Sequence, residues 1–167
     1  MTMQTSGHMD TFTREHLPAV SDWPDFRFDL PQLDYPDRLN CAAELLDHNI
    51  ENGRGDKIAI YSAARHISWT ELRHEASRIA HVLVEDMGLL AGNRVLLHGA
   101  NSIELIASWY GVILAGGVAV MTMPMLRAGE LAKVIAKARI SHALCDAALA
   151  GAVHEAAAAQ PMLDRIV

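Results

Sequence analysis

Apolar positions follow two spacings along this chain, and the spacings alternate. "NRVLLHGAN" carries a continuous apolar run bounded by Asn and Gly, which predicts a buried strand at Arg94–His98. "LIASWYGVILAGGVAVMTM" follows, Leu105 to Met123, nineteen residues without a charge. As one helix it would rise about 28 Å, close to the hydrocarbon core of a bilayer at about 30 Å. Three features argue against a membrane span. Trp109 and Tyr110 lie inside the run rather than at its ends, no basic cluster flanks it, and Gly116-Gly117 interrupts it past the middle. The run therefore divides. Asn101 is placed to cap a helix, with Glu104 reaching back to it. Ile103, Ile106, Tyr110, Ile113 and Leu114 form one apolar face of that helix, and Leu105, Trp109 and Val112 another. A helix apolar nearly all round is a buried helix. Gly116-Gly117 supplies the left-handed stop. Val118 to Thr122 reads as a strand buried on both faces, and Pro124 ends it.

The same grammar extends in both directions. Leu131, Val134, Ile135 and Ala138 repeat at helical spacing, "SHALCD" is a short strand, and Asp146 caps the Ala-rich "AALAGAVHEAAAA". "LDRIV" begins a further strand. Upstream, Asn40 caps "CAAELLDHNIEN", which Gly53 and Gly55 stop, and "DKIAIYSAARHISW" reads as two strands joined by a turn. Ser68 and Glu71 in "SWTE" make a capping box. The helix behind it places Leu72, Ala76, Ile79, Ala80, Leu83 and Met87 on one face and charges on the other. Alternating strands and helices predict an α/β fold, a layered and largely parallel sheet with flanking helices.

Three segments emerge. Residues 1–10 are polar and irregular, expected to be disordered or tag-like, lack the apolar core of a secretory signal, and are set aside. Residues 11–39 hold four of the six prolines with Trp23, Phe26, Phe28 and Tyr35 between them, which suits an extended arm. Residues 40–167 form an α/β subdomain. Because Ile166 and Val167 read as the start of a buried strand, it is expected to be incomplete at its C-terminus.

Composition narrows the chemistry. With 51% hydrophobic and 20% charged residues the chain is globular in type, and its length of 167 residues allows a sizeable core. A net charge of -6 without a Lys/Arg block disfavours nucleic acid as a partner. Cys41 and Cys145 are far apart in sequence and read as reduced thiols of a cytoplasmic protein. The nine histidines show no metal-binding spacing. His74 and His81 share a helix face and read as solvated side chains. There is no GxSxG elbow and no GxxxxGK[ST] loop, and "HGANS" has one glycine where a dinucleotide fingerprint needs three.

The order of motifs resembles the N-terminal region of the adenylate-forming (AMP-binding) acid:CoA ligases. The resemblance is carried by "GDKIAI" (Gly55–Ile60), "SWTEL" (Ser68–Leu72), "GLLAGNRVLL" (Gly88–Leu97), Ala100-Asn101, "ILAGGVAVMTMP" (Ile113–Pro124) and "ELAKVIAKARISHALCD" (Glu130–Asp146). "NIENGRGDK" (Asn49–Lys57) is similar to the benzoate-type branch. "FDLPQLDYPDRLNCAAELLD" (Phe28–Asp47), "VLVEDMGLL" (Val82–Leu90) and "MTMPMLRAGEL" (Met121–Leu131) resemble the 2-aminobenzoate:CoA ligases. The resemblance implies ATP, Mg2+ and coenzyme A as cofactors of a full-length enzyme and an aromatic carboxylic acid as its substrate. The acid attacks the α-phosphate to give an acyl-adenylate, and the coenzyme A thiol then displaces AMP. The family's phosphate loop and catalytic lysine do not occur among these residues, so the 167-residue segment is expected to hold no catalytic residue and to be inactive alone. Arg127, after Pro124 at a strand's carboxyl end, is the candidate contact for a coenzyme A phosphate, although the family usually has Thr or Ser there. Gly116, Gly117 and Pro124 match family positions and read as architectural. Trp109 and Tyr110 read as core fillers. Met121, Met123 and Met125 read as core packing, with a substrate tunnel as the other reading. No membrane partner is expected, and exposed sheet edges would allow a homodimer. The alternative function is a stand-alone, non-catalytic binding or dimerisation module with a ligase-like fold.

Overall fold

A computed structural model describes residues 6–36 and 38–167, apart from the side chain of Gln32. Of the tag-like segment, residues 1–5 lie outside the described residues. Among the described residues there are two sheets. β1 (Ile58–Tyr61) and β2 (His66–Ser68) pair antiparallel. β3 (Arg94–His98), β4 (Val118–Thr122), β5 (Ile140–Cys145) and β6 (Arg165–Ile166) form a parallel sheet in the order β4-β3-β5-β6. The helices are α1 (Phe12–Glu15), α2 (Cys41–Asn49), α3 (Trp69–His81), α4 (Ile103–Leu114), α5 (Ala128–Ala138) and α6 (Ala150–Ala158). This is the layered α/β architecture expected from the alternation of spacings.

Helix ends show why the chain folds locally as it does. Asn40 Oδ1 accepts from the Ala42 and Ala43 amides, while its Nδ2 donates to Ile113 O at 2.8 Å, so one side chain starts α2 and anchors it to the end of α4. The Ser68–Glu71 capping box is present in both directions. The long apolar run divides at its twin glycines. Gly116 adopts φ 77, its N–H reaches Ile113 O and the Gly117 N–H reaches Val112 O, the paired bonds of a Schellman stop. No helix among the described residues is long and apolar enough to cross a membrane.

Two local expectations are corrected. The cap of α4 is Ser102, whose hydroxyl accepts from Leu105 N at 3.1 Å, rather than Asn101. β4 is not buried on both faces. It is the sheet's edge, paired with β3 alone among the described residues, and is half-buried with Met121 52% exposed.

The core has a layer on each side of the parallel sheet. Leu96 and Ala143 pack with Leu131, Ile135 and Val153 from α5 and α6. Val95 and Leu97 pack on the other face with Leu83 and Val112, continuous with the α3–α4 contact. Beneath the sheet, Met9 and Asp10 both donate backbone N–H to Ala91 O, and the Asp10 carboxylate takes hydrogen bonds from Asn93 and Arg94. The arm region carries short turns at Val20–Asp22 and Pro31–Leu33, with Phe26 and Phe28 half exposed.

Candidate active-site crevice

From β3 the chain passes through α4 to one side of the sheet, and from β5 through α6 to the other. The carboxyl ends of β3 and β5 therefore diverge into a crevice, the place where parallel α/β sheets receive ligands. A cleft of about 710 Å³ opens there. Gly99, Ala100 and Ser102 leave β3 along one wall, and Cys145 and Asp146 leave β5 along the other. The Asp146 N–H donates to His98 O at 2.9 Å and holds the two exits together.

The outer wall is charged. Arg65 donates to both oxygens of Glu75, at 3.0 and 3.3 Å, and to Glu104 at 3.0 Å. These two carboxylates hold the Arg65 guanidinium above its ordinary range. Glu104 is held below the usual carboxylate range, first by its own backbone N–H and then by Arg65. Arg78, on α3, lines the same cleft without a carboxylate partner among the described residues. Burial pushes the Cys145 thiol up, and neighbouring Asp146 adds to this, so the sulfur stays protonated at neutral pH. The crevice can bind; its thiol is not an activated nucleophile.

Thr122, His98 and Cys145 stand in register across three strands. The Thr122 hydroxyl donates to Leu97 O and accepts from His98 Nδ1 at 2.9 Å, which leaves the unprotonated Nε2 buried without a hydrogen-bond partner. Burial lowers the pKa of His98. His142 is also buried: its Nε2 donates to Met87 O at 3.1 Å and its Nδ1 meets Ser141 Oγ. Its pKa is lowered too, chiefly by burial. For both, the unfolded chain takes up the proton first. The stability they carry is intact above the ordinary value of 6.5 and is lost as pH falls from there toward the lower folded values. Unfolding free energies from urea titrations, measured from pH 7.5 downward, are expected to drop with a slope of up to about 1.4 kcal/mol per pH unit for each group. The His98→Leu variant should lose one proton's share of that slope; a profile parallel to that of the parent chain would refute the assignment.

Arg127 is elsewhere. It is exposed at the start of α5, where its backbone N–H donates to Glu130 Oε2 at 2.9 Å, and it lines a separate shallow cleft of about 500 Å³ with Pro124, Gly151 and Glu155. The guanidinium cannot accept a bond and caps nothing. Met121, on the edge strand β4, and Met123 and Met125, in the turn after it, are 52%, 61% and 77% exposed, so they are not core. Trp109 and Tyr110 are half-buried and meet edge to face at 5.0 Å. His74 and His81 are exposed, and no three metal-ligating side chains stand together among the described residues. Sequence reading missed His98 and His142. Their signal was a polar residue inside "RVLLHG" and "SHALCD", at strand positions that face a helix layer.

A sequence profile described as AMP-binding enzyme matches residues 46–167. A 4-hydroxybenzoate--CoA/benzoate--CoA ligase of Rhodopseudomonas palustris is 29% identical over 138 residues, 83% of this chain and 25% of that protein. An acetyl-coenzyme A synthetase of Mycolicibacterium smegmatis is 29% identical over 163 residues, 89% of this chain and 17% of that protein. The chain thus spans 17% to 25% of the length of these curated relatives. Among solved structures, an anthranilate CoA ligase in complex with anthranoyl-AMP shares the fold with a TM-score of 0.75 at 23% identity, covering 82% of this chain and 26% of that one. ATP-bound MatB from Rhodopseudomonas palustris gives 0.67 at 27% identity, covering 77% and 25%.

Proposed function

The chain belongs to the AMP-binding enzyme family, and from that premise we propose that it is the N-terminal part of an ATP-dependent aryl-acid:CoA ligase of the 2-aminobenzoate or benzoate type, acting in the cytoplasm. The whole enzyme would join an aromatic carboxylic acid to coenzyme A through an acyl-adenylate. This segment would supply scaffold, residues 40–167 as a subdomain and 11–39 as an arm, without the catalytic groups. The observation that carries the reading is the 29% identity to the Rhodopseudomonas palustris ligase across 83% of the chain. No metal-ligating cluster is present among the described residues, so no step through Mg2+ is assigned to them.

The test compares the purified 167-residue chain with the full open reading frame that contains it. With ATP, Mg2+, coenzyme A and 2-aminobenzoate or benzoate, the full frame is expected to form AMP and the aryl thioester, and the segment neither. Thioester formation by the segment, or a full frame that takes neither acid, would overturn the proposal. Arg127 is proposed to contact a coenzyme A phosphate, because its exposed guanidinium stands near the carboxyl end of β4. Arg127→Ala in the full enzyme should raise the coenzyme A KM about tenfold with kcat unchanged, the loss of one charge-assisted contact. An unchanged KM removes Arg127 from the site.

A further inference from the structure

The end of the parallel sheet opposite the crevice is shaped around a short piece of the chain's own N-terminal segment. Arg94 opens β3 there and is 5% exposed. Its guanidinium donates to Gly92 O, Ala138 O and Arg139 O, three carbonyls that lie outside residues 6–16. Those carbonyls hold the cation in place without neutralising it. The charge is met by Asp10, the one carboxylate that reaches Arg94 among the described residues. Asn93 donates to the same Asp10 oxygen at 2.9 Å, and the other oxygen accepts from the Phe12 N–H at 3.0 Å. Two backbone positions fit the same piece. Gly92 has φ 92, and a Cβ on it would collide with Asp10 O. Arg139 has φ 48, the one residue other than glycine in the left-handed region among the described residues. Glycine would rest there more easily. Arginine instead brings a guanidinium over the Phe12 ring, 4.8 Å from its centre, as Arg94 does at the same distance.

We propose that this end of the sheet is a peptide-recognition site for the sequence Asp-x-Phe, built by Gly92, Asn93, Arg94 and Arg139, and that Asp10-Thr11-Phe12 is a self-ligand that can leave the site and be replaced. The site selects a carboxylate because a buried cation without a counter-charge is costly. It selects an aromatic ring because two guanidiniums are already placed to lie against one. The segment is seated as a ligand is, not as part of the core. Met9 and Asp10 both donate backbone N–H to Ala91 O, a loop carbonyl, and Met9 is 72% exposed. No residue of 6–16 belongs to the apolar layers on either side of the sheet. Its departure therefore removes polar and cation–π contacts and leaves both layers intact. The Phe12 ring is also braced from within the segment by His16, with ring centres 4.1 Å apart, so residues 6–16 carry the whole recognition element. Docked, this strap fastens the root of the 11–39 arm to the amino end of β3.

The experiment is fluorescence anisotropy of a labelled peptide of residues 6–16, SGHMDTFTREH, added to the 167-residue chain and to its Asp10→Ala, Phe12→Ala double variant, whose own strap is released. The double variant is expected to bind the peptide saturably, one per chain, and to keep the parent's far-UV circular dichroism. The parent, whose site is filled by its own segment, should bind about tenfold more weakly or less, since only its open fraction is competent. Peptides carrying Asp10→Asn or Phe12→Ala should each lose about tenfold, the loss of one strong contact. Arg139→Gly added to the double variant keeps the left-handed backbone and should weaken peptide binding. A second measurement needs no variant: in the parent, the amides of Met9, Asp10 and Phe12 should exchange together and faster than that of Leu96 in β3. If the double variant does not fold, this exchange decides alone. A folded double variant that takes up no peptide, binding indifferent to the loss of Asp10 and Phe12, a parent that binds as well as the double variant, or strap amides that exchange at the Leu96 rate would overturn the proposal.

Discussion

Arg94→Ala is expected to cost about 3–5 kcal/mol of folding stability, the range for breaking a buried, hydrogen-bonded ion pair from one side. Arg94 is 5% exposed at the first position of β3. Its guanidinium donates to Ala138 O at 2.8 Å, Arg139 O at 2.8 Å and Gly92 O at 2.9 Å, and to the Asp10 carboxylate. It lies 4.8 Å from the centre of the Phe12 ring, as does the guanidinium of Arg139. One side chain thus joins the start of the sheet, the end of α5 and the segment before α1. Truncation leaves carbonyls and a carboxylate unpaired, and unsatisfied buried groups cost more than the bonds themselves contributed. Against a typical domain stability of about 5–15 kcal/mol this is a large fraction. The urea midpoint should fall with the m-value unchanged.

Asp10→Asn is the milder companion and should lose about 1–2 kcal/mol, since an amide keeps an acceptor but not the charge. Burial raises the Asp10 pKa, but the hydrogen bonds from Arg94, the Phe12 amide and Asn93 outweigh it and the net value is lowered. Its contribution is therefore present above the ordinary value near 3.8 and is lost as pH falls through the lower folded value. Acid titrations of parent and Asp10→Asn should differ in that window, which opens near 3.8, whereas the one set by His98 and His142 opens near 6.5. Identical acid limbs would show that the pair contributes nothing.

Gly111→Ala is expected to cost about 2–3 kcal/mol, at the upper end of what one inserted methyl group does in a packed core. Gly111 is buried in the middle of α4, where a helix propensity scale alone would predict that alanine stabilises by up to about 1 kcal/mol. Packing reverses the sign. A Cβ there would stand 2.7 Å from Ile79 Cγ2, 2.8 Å from Ile79 Cβ and 3.0 Å from Ala76 O. Two of these atoms belong to parts of α3 that cannot swing aside, so the two helices must separate. A rise in melting temperature in Gly111→Ala would mean that α3 and α4 do not approach this closely. The Gly111→Ala, Ile79→Ala double variant should recover part of the loss, because removing the Ile79 branches vacates the space the new methyl needs.

These two sites mark where reading along the chain reaches its limit. Gly111 is silent in sequence, a single glycine within an apolar helical run, and its reason lies in α3. Arg94 reads as the polar flank of a strand, and Asp10 falls in the segment set aside. Nothing in their spacing, 84 residues apart, joins them. The crevice is partly legible: "NRVLLHGAN" and "SHALCD" each read as a strand, but that the two strand ends converge depends on strand order.

Local pattern along the chain was enough for several elements and ends: the break of the apolar run at Gly116-Gly117, the Ser68–Glu71 box, the Asn40 cap and the bounds of β3 and β4. Each is settled within a few residues, by side-chain periodicity and by hydrogen bonds that close over three to five positions. Family resemblance was legible for the same reason, since motif order is a linear property. Tertiary structure alone decided that β4 lies at an edge, that β3 and β5 part to form the cleft, that His98 loses its second partner, and that Asp10 reaches Arg94. Those outcomes depend on which strands pair and which helix covers which face. Such contacts join residues distant in the chain, whose burial and partners no local period encodes.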